Sequence, residues 1–363
     1  MAIARAQLLE TFQKEYSKLN LQQKKAVDKI DGPVMVIAGP GTGKTQILSV
    51  RIGKILLDTD ALPYNILCLT YTDAGVLAMR KRLLSMIGPE AYSVPIHSFH
   101  SFCNMVIQEN RHLFNKKELQ PINELEQAQC LMELIDGLEE GNPLKRYKSV
   151  AYYEAGFLKE LFSAMKREGW NPDFLKDRIE EYVDQIIPET FYNKTKAKKG
   201  VHEITVEGRR EIDKMEKLKA AVQAFDHYQS ILKEKQRYDF DDMINWVIGV
   251  FETHPDVLLH YQETFQYFLV DEYQDTSGSQ NKLVELLVSY WESPNLFVVG
   301  DDDQSIYRFQ GANMENMRQL ARRYEKDLLR VLLTENYRSV QPILDAAHLL
   351  ISNNQQRLVN EYP

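Results

Sequence analysis

The sequence predicts an α/β protein, a parallel sheet flanked by helices with an all-α subdomain inserted into it. Three observations lead there. Short apolar runs at 34–37, 66–69, 268–270, 296–299 and 329–333 are each bounded by turn or charged residues, as strands buried on both faces are. Helical patterns such as 74–86 and 280–290 lie between them, and such alternation argues a mainly parallel sheet. The stretch 103–236 is long, helical in pattern and almost without β-rich runs. It reads as a separate subdomain that leaves the sheet and returns near Asp239-Phe240-Asp241-Asp242. The expected division is therefore 1–102 with 237–339 for the sheet domain, 103–236 for the insertion, and 340–363 for a linker or the start of another domain.

A chain of 363 residues suits two or three domains. Its 44% apolar and 26% charged residues are those of a globular protein. No run approaches the roughly 18 apolar residues of a membrane span, so no membrane partner is expected. The first residues lack the basic, apolar, small-residue order of a secretory signal. Cys68, Cys103 and Cys130 have no C-x-x-C spacing and read as buried thiols in a reducing compartment, hence a cytoplasmic location. The net charge of −8 argues against a surface coated in nucleic acid, while leaving room for a local basic groove. Four lysines between Lys194 and Lys199 could grip phosphate or form a solvated loop.

The first strand runs into Gly39-Pro40-Gly41-Thr42-Gly43-Lys44-Thr45 and then a helix. Small residues there let backbone N–H groups close around phosphate oxygens, and the helix points its positive end at the same anion. Lys44 would reach the β/γ-phosphates and the Thr45 hydroxyl would ligate Mg²⁺, so the chain is expected to bind a nucleoside triphosphate.

The 268–270 strand ends in Asp271-Glu272. Asp271 can hold Mg²⁺ through water, and Glu272 can orient or deprotonate the attacking water. At the end of the next strand, Gln304 fits a sensor of the γ-phosphate. Tyr307 and Phe309 could stack on bases, at about 1–3 kcal/mol each, or pack under a loop. After the last strand, Tyr337 and Arg338 could close on a nucleotide from the far side. His97 and His100 form H-x-x-H, but no third His or Cys pair accompanies them, so metal is not expected there.

Taken in order, these segments resemble the UvrD/Rep/PcrA-type superfamily 1 DNA helicases, from Leu19-Asn-Leu-Gln-Gln23 through Asn336-Tyr-Arg-Ser339. The resemblance implies a RecA-like P-loop NTPase domain that uses ATP and Mg²⁺. It implies that Gln23 reads the adenine edge and that Lys44, Thr45, Asp271 and Glu272 serve phosphate, metal and catalysis. Gln304 would sense the γ-phosphate, Tyr337 would stack on adenine, and Arg338 would contact the γ-phosphate. Tyr71, Thr72, His100, Phe102, Tyr307 and Phe309 would line the path of single-stranded DNA. Junction DNA is the expected further partner, since the insertion resembles a subdomain that faces duplex.

Three departures from the family stand out. Gln46 replaces an arginine that packs on adenine, Asp73-Ala74 replaces an Asn-Lys, and Gln310 replaces an arginine. Looser base binding and weaker DNA coupling are expected from them. Nothing in Val340–Pro363 resembles a second RecA-like domain, so the expected role is the ATP-binding half of a 3′→5′ translocase and helicase whose second RecA-like domain lies elsewhere in a longer protein. The alternatives are the helicase part of an AddA/RecB-like helicase–nuclease and a non-hydrolysing, ATP-gated DNA-binding module.

Overall fold

A computed structural model of the chain describes residues 2–114, 119–145, 151–191, 204–304, 314–354 and 357. Contacts divide it into two compact units, 1–114 with 243–363, and 115–242.

The strands, in chain order, are β1 (Val34–Ala38), β2 (Ile66–Thr70), β3 (Ile96–Ser98), β4 (Gln120–Pro121), β5 (Arg237–Tyr238), β6 (Tyr267–Val270), β7 (Leu296–Gly300) and β8 (Leu329–Leu333). Six of them form one sheet in the order β3-β2-β6-β7-β1-β8. Every pairing in it is parallel, with Val36 opposite Val299 on one side and Val331 on the other. Every residue of β1, β2, β6 and β7 is buried, which is why these strands read as unbroken apolar runs rather than alternating ones. Helices cover the sheet. The helix Lys44–Asp58 buries Ile47, Leu48, Ile52 and Ile55 in a core shared with Val36, Cys68, Phe297 and Val331. Because all six strands run the same way, the residues following β1, β2, β6, β7 and β8 emerge at one edge, where open parallel sheets bind ligands.

The second unit holds the helices Glu124–Asp136, Ala155–Glu168, Pro172–Glu181, Val206–Gln223 and Phe225–Glu234. Leu134, Leu158, Phe162, Tyr228 and Leu232 form its core. It also carries the two-residue parallel ladder of β4 and β5, with Gln120 opposite Arg237.

The units divide at 114/115 and 242/243, whereas the sequence suggests 102/103 and 236/237. The physical reason is local. The helix Phe99–Glu109 runs unbroken past residue 102 and packs Phe102 on Tyr261 and Phe265 of the sheet unit, with ring centroids 6.1 and 6.3 Å apart. At the other junction, Asp239 and Asp242 are held inside the helical unit by Lys166.

Cys68, Cys103 and Cys130 are free and buried, and burial pushes the Cys68 thiol up to about 12. Among the described residues no helix is long and apolar enough to cross a membrane.

Candidate active site

The loop after β1 turns through two glycines in the left-handed region, Gly41 at φ 78° and Gly43 at φ 92°. Gly43 caps the helix Lys44–Asp58 from that conformation, and its carbonyl accepts from Gln46 N–H at 2.9 Å. Both positions need glycine for space as well. A Cβ on Gly41 would lie 2.6 Å from Arg338 Cβ, and one on Gly43 would lie 2.9 Å from Gln23 Nε2. The loop is thus enclosed on two sides, by Gln23 of the helix that precedes β1 and by the segment after β8.

The near side is the helix Leu21–Asp28, started by a capping box between Asn20 and Gln23. Gln23 is 2% exposed, and its Nε2 donates to the Thr42 carbonyl at 2.8 Å. On the far side, Tyr337 N–H donates to the Gly41 carbonyl at 2.9 Å and Asn336 Nδ2 donates to the Pro40 carbonyl. Asn336 Oδ1 accepts from the Arg338 and Ser339 N–H groups, both at 2.8 Å. The segment after β8 is therefore joined to two backbone carbonyls of the loop, by the Tyr337 N–H and the Asn336 side chain.

The third wall is the carboxyl end of β6. Lys44 Nζ reaches Glu272 Oε2 at 2.6 Å. Glu272 sits at φ 49°, a left-handed conformation that costs a non-glycine residue about 1–3 kcal/mol. Asp271 is held by its own N–H to the Leu69 carbonyl at 2.9 Å and accepts Glu272 N–H at 3.0 Å. Burial, reinforced by the Glu272 carboxylate and opposed by Lys44, pushes Asp271 up to about 6. Asp275 is likewise pushed up to about 6, by burial and then by Glu272. Three carboxyl groups crowd one end of β6, and Lys44 is paired to one of them, Glu272.

Gln274 joins this wall to the next. Its Nε2 donates to Glu272 Oε2 at 2.9 Å, and its Oε1 accepts Asp301 N–H at 2.9 Å. A Cβ on Gly300 would sit 2.9 Å from Gln274 Oε1, so glycine at the end of β7 makes room for that bridge. Asp301 in turn accepts from Gln304 Nε2 and from Asp303 N–H. Gln304 is tied into the same set of contacts as Glu272, through Asp301 and Gln274.

The donor set fits a magnesium nucleotide. Glycine-lined N–H groups at a helix start suit phosphate, and Mg²⁺ is usually held by one or two carboxylates or hydroxyls together with phosphate and water. Thr45, half-buried in the first helical turn, and Asp271 would be the residues to hold it. Gln46, half-buried, lies in that same turn.

The residues expected along DNA are not all alike. Tyr71 is half-buried, and Thr72 is exposed and caps the helix Asp73–Ile87 by accepting Gly75 N–H at 3.0 Å. His100 is half-buried in the first turn after β3. Phe102 is 0% exposed, so the expectation that it faces DNA does not hold. Its ring belongs to the aromatic core with Tyr261 and Phe265. Tyr307, Phe309, Gln310 and Lys194–Lys199 lie outside the described residues. Asp73 opens its helix with a charge suited to the helix N-terminus.

Asn20, Gln274, Asp301 and Asn336 join these walls by hydrogen bonds, and the sequence reading gives them no role. For Asn20 the signal was present, an Asn-x-x-Gln pattern before a helix.

The profile of the UvrD/REP helicase N-terminal domain matches residues 19–325. The chain is 30% identical over 340 residues to the ATP-dependent DNA helicase PcrA of Staphylococcus aureus strain Mu50, covering 93% of this chain and 40% of that protein. It is 32% identical over 345 residues to the ATP-dependent DNA helicase PcrA of Bacillus subtilis strain 168, covering 94% and 40%. The chain therefore spans about 40% of the length of the curated relatives it matches.

Proposed function

Because the chain belongs to the UvrD/REP helicase N-terminal domain family, we propose that it is the ATP-binding and ATP-hydrolysing half of a DNA helicase that moves 3′→5′ on single-stranded DNA. The observation that carries this reading is the 2.6 Å contact between the loop lysine Lys44 and the strand-end carboxylate Glu272. It joins the phosphate-binding element to the group that would handle water.

In this reading the Gly39–Thr45 loop binds the phosphates, with Lys44 on the β/γ-phosphates. Gln23 and Tyr337 take the adenine from opposite sides, and Gln46 borders it. Thr45 and Asp271 would hold Mg²⁺, which supplies charge neutralisation at the phosphates. Glu272 takes the proton of the attacking water, and Arg338 steadies charge on the γ-phosphate. Gln304 would report that phosphate along the Asp301–Gln274 bridge, since the same bridge ends on Glu272. Tyr71, Thr72 and His100 would border the DNA strand. Junction DNA and a second RecA-like domain in the longer protein are the partners this reading requires, with a cytoplasmic location.

ATP binding and steady-state ATP hydrolysis, the latter with and without single-stranded DNA, test the reading when wild type is run beside Lys44→Ala. ATP binding by wild type that is lost in the variant supports it, and DNA-stimulated turnover would add the catalytic step to this chain. DNA-dependent turnover that survives Lys44→Ala would overturn it.

A further inference from the structure

Asn20 precedes the helix Leu21–Asp28, and both ends of its side-chain amide are engaged. Its Oδ1 accepts Gln23 N–H at 2.8 Å, while Gln23 Oε1 accepts Asn20 N–H at 3.0 Å. That cap fixes the orientation of the amide, because only the oxygen can accept from a backbone N–H. The other end is then the NH₂ group, and it donates to Tyr337 Oη at 2.9 Å, across 317 residues of sequence. Tyr337 passes its own hydroxyl hydrogen to Glu335 Oε2 at 2.7 Å. The phenol oxygen therefore has one donor and one acceptor assigned.

A helix cap needs the acceptor alone, and serine, threonine or aspartate would supply it. The NH₂ contact is additional to capping. It also lands on a residue that needs holding, for Tyr337 is 60% exposed and its ring is not fixed by burial. Gln23 on the same cap is anchored by Nε2 to the Thr42 carbonyl, and Tyr337 is anchored by its N–H to the Gly41 carbonyl, one residue away.

We propose that Asn20 is a positioning residue for nucleobase recognition, tying the Gln23 arm and the Tyr337 arm of the base slot together and setting the gap a purine enters. This rests on the nucleotide reading of the site and deepens it. An exposed ring left free must be ordered when a base stacks on it, and a hydroxyl tether that orders it beforehand removes part of that cost. The tether acts on the base and not on the phosphates, which are held by the loop and Lys44.

Calorimetric titration with Mg²⁺·ATP and with inorganic tripolyphosphate separates the two. The variants are Asn20→Ser, which keeps a capping oxygen, Tyr337→Phe, which keeps the ring, and the double variant. Each single change should weaken ATP binding about 3- to 10-fold, the worth of one hydrogen bond. The double variant should lose no more than either alone, and tripolyphosphate affinity should not move. Additive losses, unchanged ATP affinity, or an equal loss for tripolyphosphate would overturn the proposal. Failure of wild type to prefer ATP over tripolyphosphate would instead strike the nucleotide reading, and this inference with it.

Discussion

Lys44 Nζ and Glu272 Oε2 are 2.6 Å apart, so the residue that would hold phosphate is bound to the one that would activate water. An incoming γ-phosphate has to compete with Glu272 for the ammonium. Removing the charge of Glu272 while keeping its shape should free Lys44. Glu272→Gln is therefore expected to bind ATP as tightly as wild type or more so. It should lose turnover by about 10²-fold or more, the usual scale for a general base. Calorimetric affinity and single-turnover rates check both halves, and weaker binding with unchanged turnover would contradict the shared contact.

Gln274 is 1% exposed and bridges Glu272 on β6 to the Asp301 N–H after β7. Gln274→Ala would leave a buried N–H without this partner and release the Glu272 carboxylate from its contact with Gln274, leaving the one with Lys44. The expected result is a kcat lowered about 10-fold with little change in the ATP concentration at half-saturation, since no phosphate or base contact is removed. An effect confined to half-saturation would place Gln274 in binding rather than in orientation.

Gly41 offers a backbone test. At φ 78° an alanine is strained by about 1–3 kcal/mol, and its Cβ would meet Arg338 Cβ at 2.6 Å. Relief requires the 336–338 segment to move off the loop. Gly41→Ala should thus weaken ATP binding and expose Tyr337 further, read as faster tyrosine quenching by added iodide. A variant with wild-type affinity would mean that the segment after β8 docks loosely.

Much of the site was legible because its parts lie at strand ends, where a buried apolar run stops at a charged or glycine residue. Asp271-Glu272 after β6 and Lys44-Thr45 after β1 are of this kind. Phe102 was misread because Ser-Phe-x-Ser-Phe resembles a strand-lining segment, while the same spacing on an amphipathic helix points the second ring inward, against Tyr261 and Phe265. The domain boundary moved for the related reason that the helix carrying Phe102 also carries Cys103 and Val106 into the core. The Asn20–Tyr337 and Gln274–Asp301 contacts could not be read at all. They depend on which side chains the parallel sheet brings to one edge, and sequence spacing does not encode that.

Inside the helical unit, Lys166 is 3% exposed, with Nζ 2.6 Å from Asp239 Oδ2 and 2.9 Å from Asp242 Oδ1. Removing the cation from such a cluster strands two carboxylates, a loss of about 3–5 kcal/mol. Burial already pushes Asp239 up to about 6, with Lys166 opposing and Asp242 adding to the rise. A carboxyl raised above its unfolded value binds its proton more tightly when folded. Its stabilising effect is full below about pH 4 and is lost as pH rises through about 6. Without Lys166, which opposes the rise, Asp239 is pushed up further, so the window extends upward and the defect is greatest at neutral pH. Lys166→Met should therefore speed hydrogen exchange in peptides covering 155–168 and 225–242 at about pH 7.5, with the difference from wild type, corrected for intrinsic exchange, shrinking at about pH 5. A difference that stays constant or grows on acidification would mean that lost packing of the lysine stem, rather than stranded charge, is what the substitution costs.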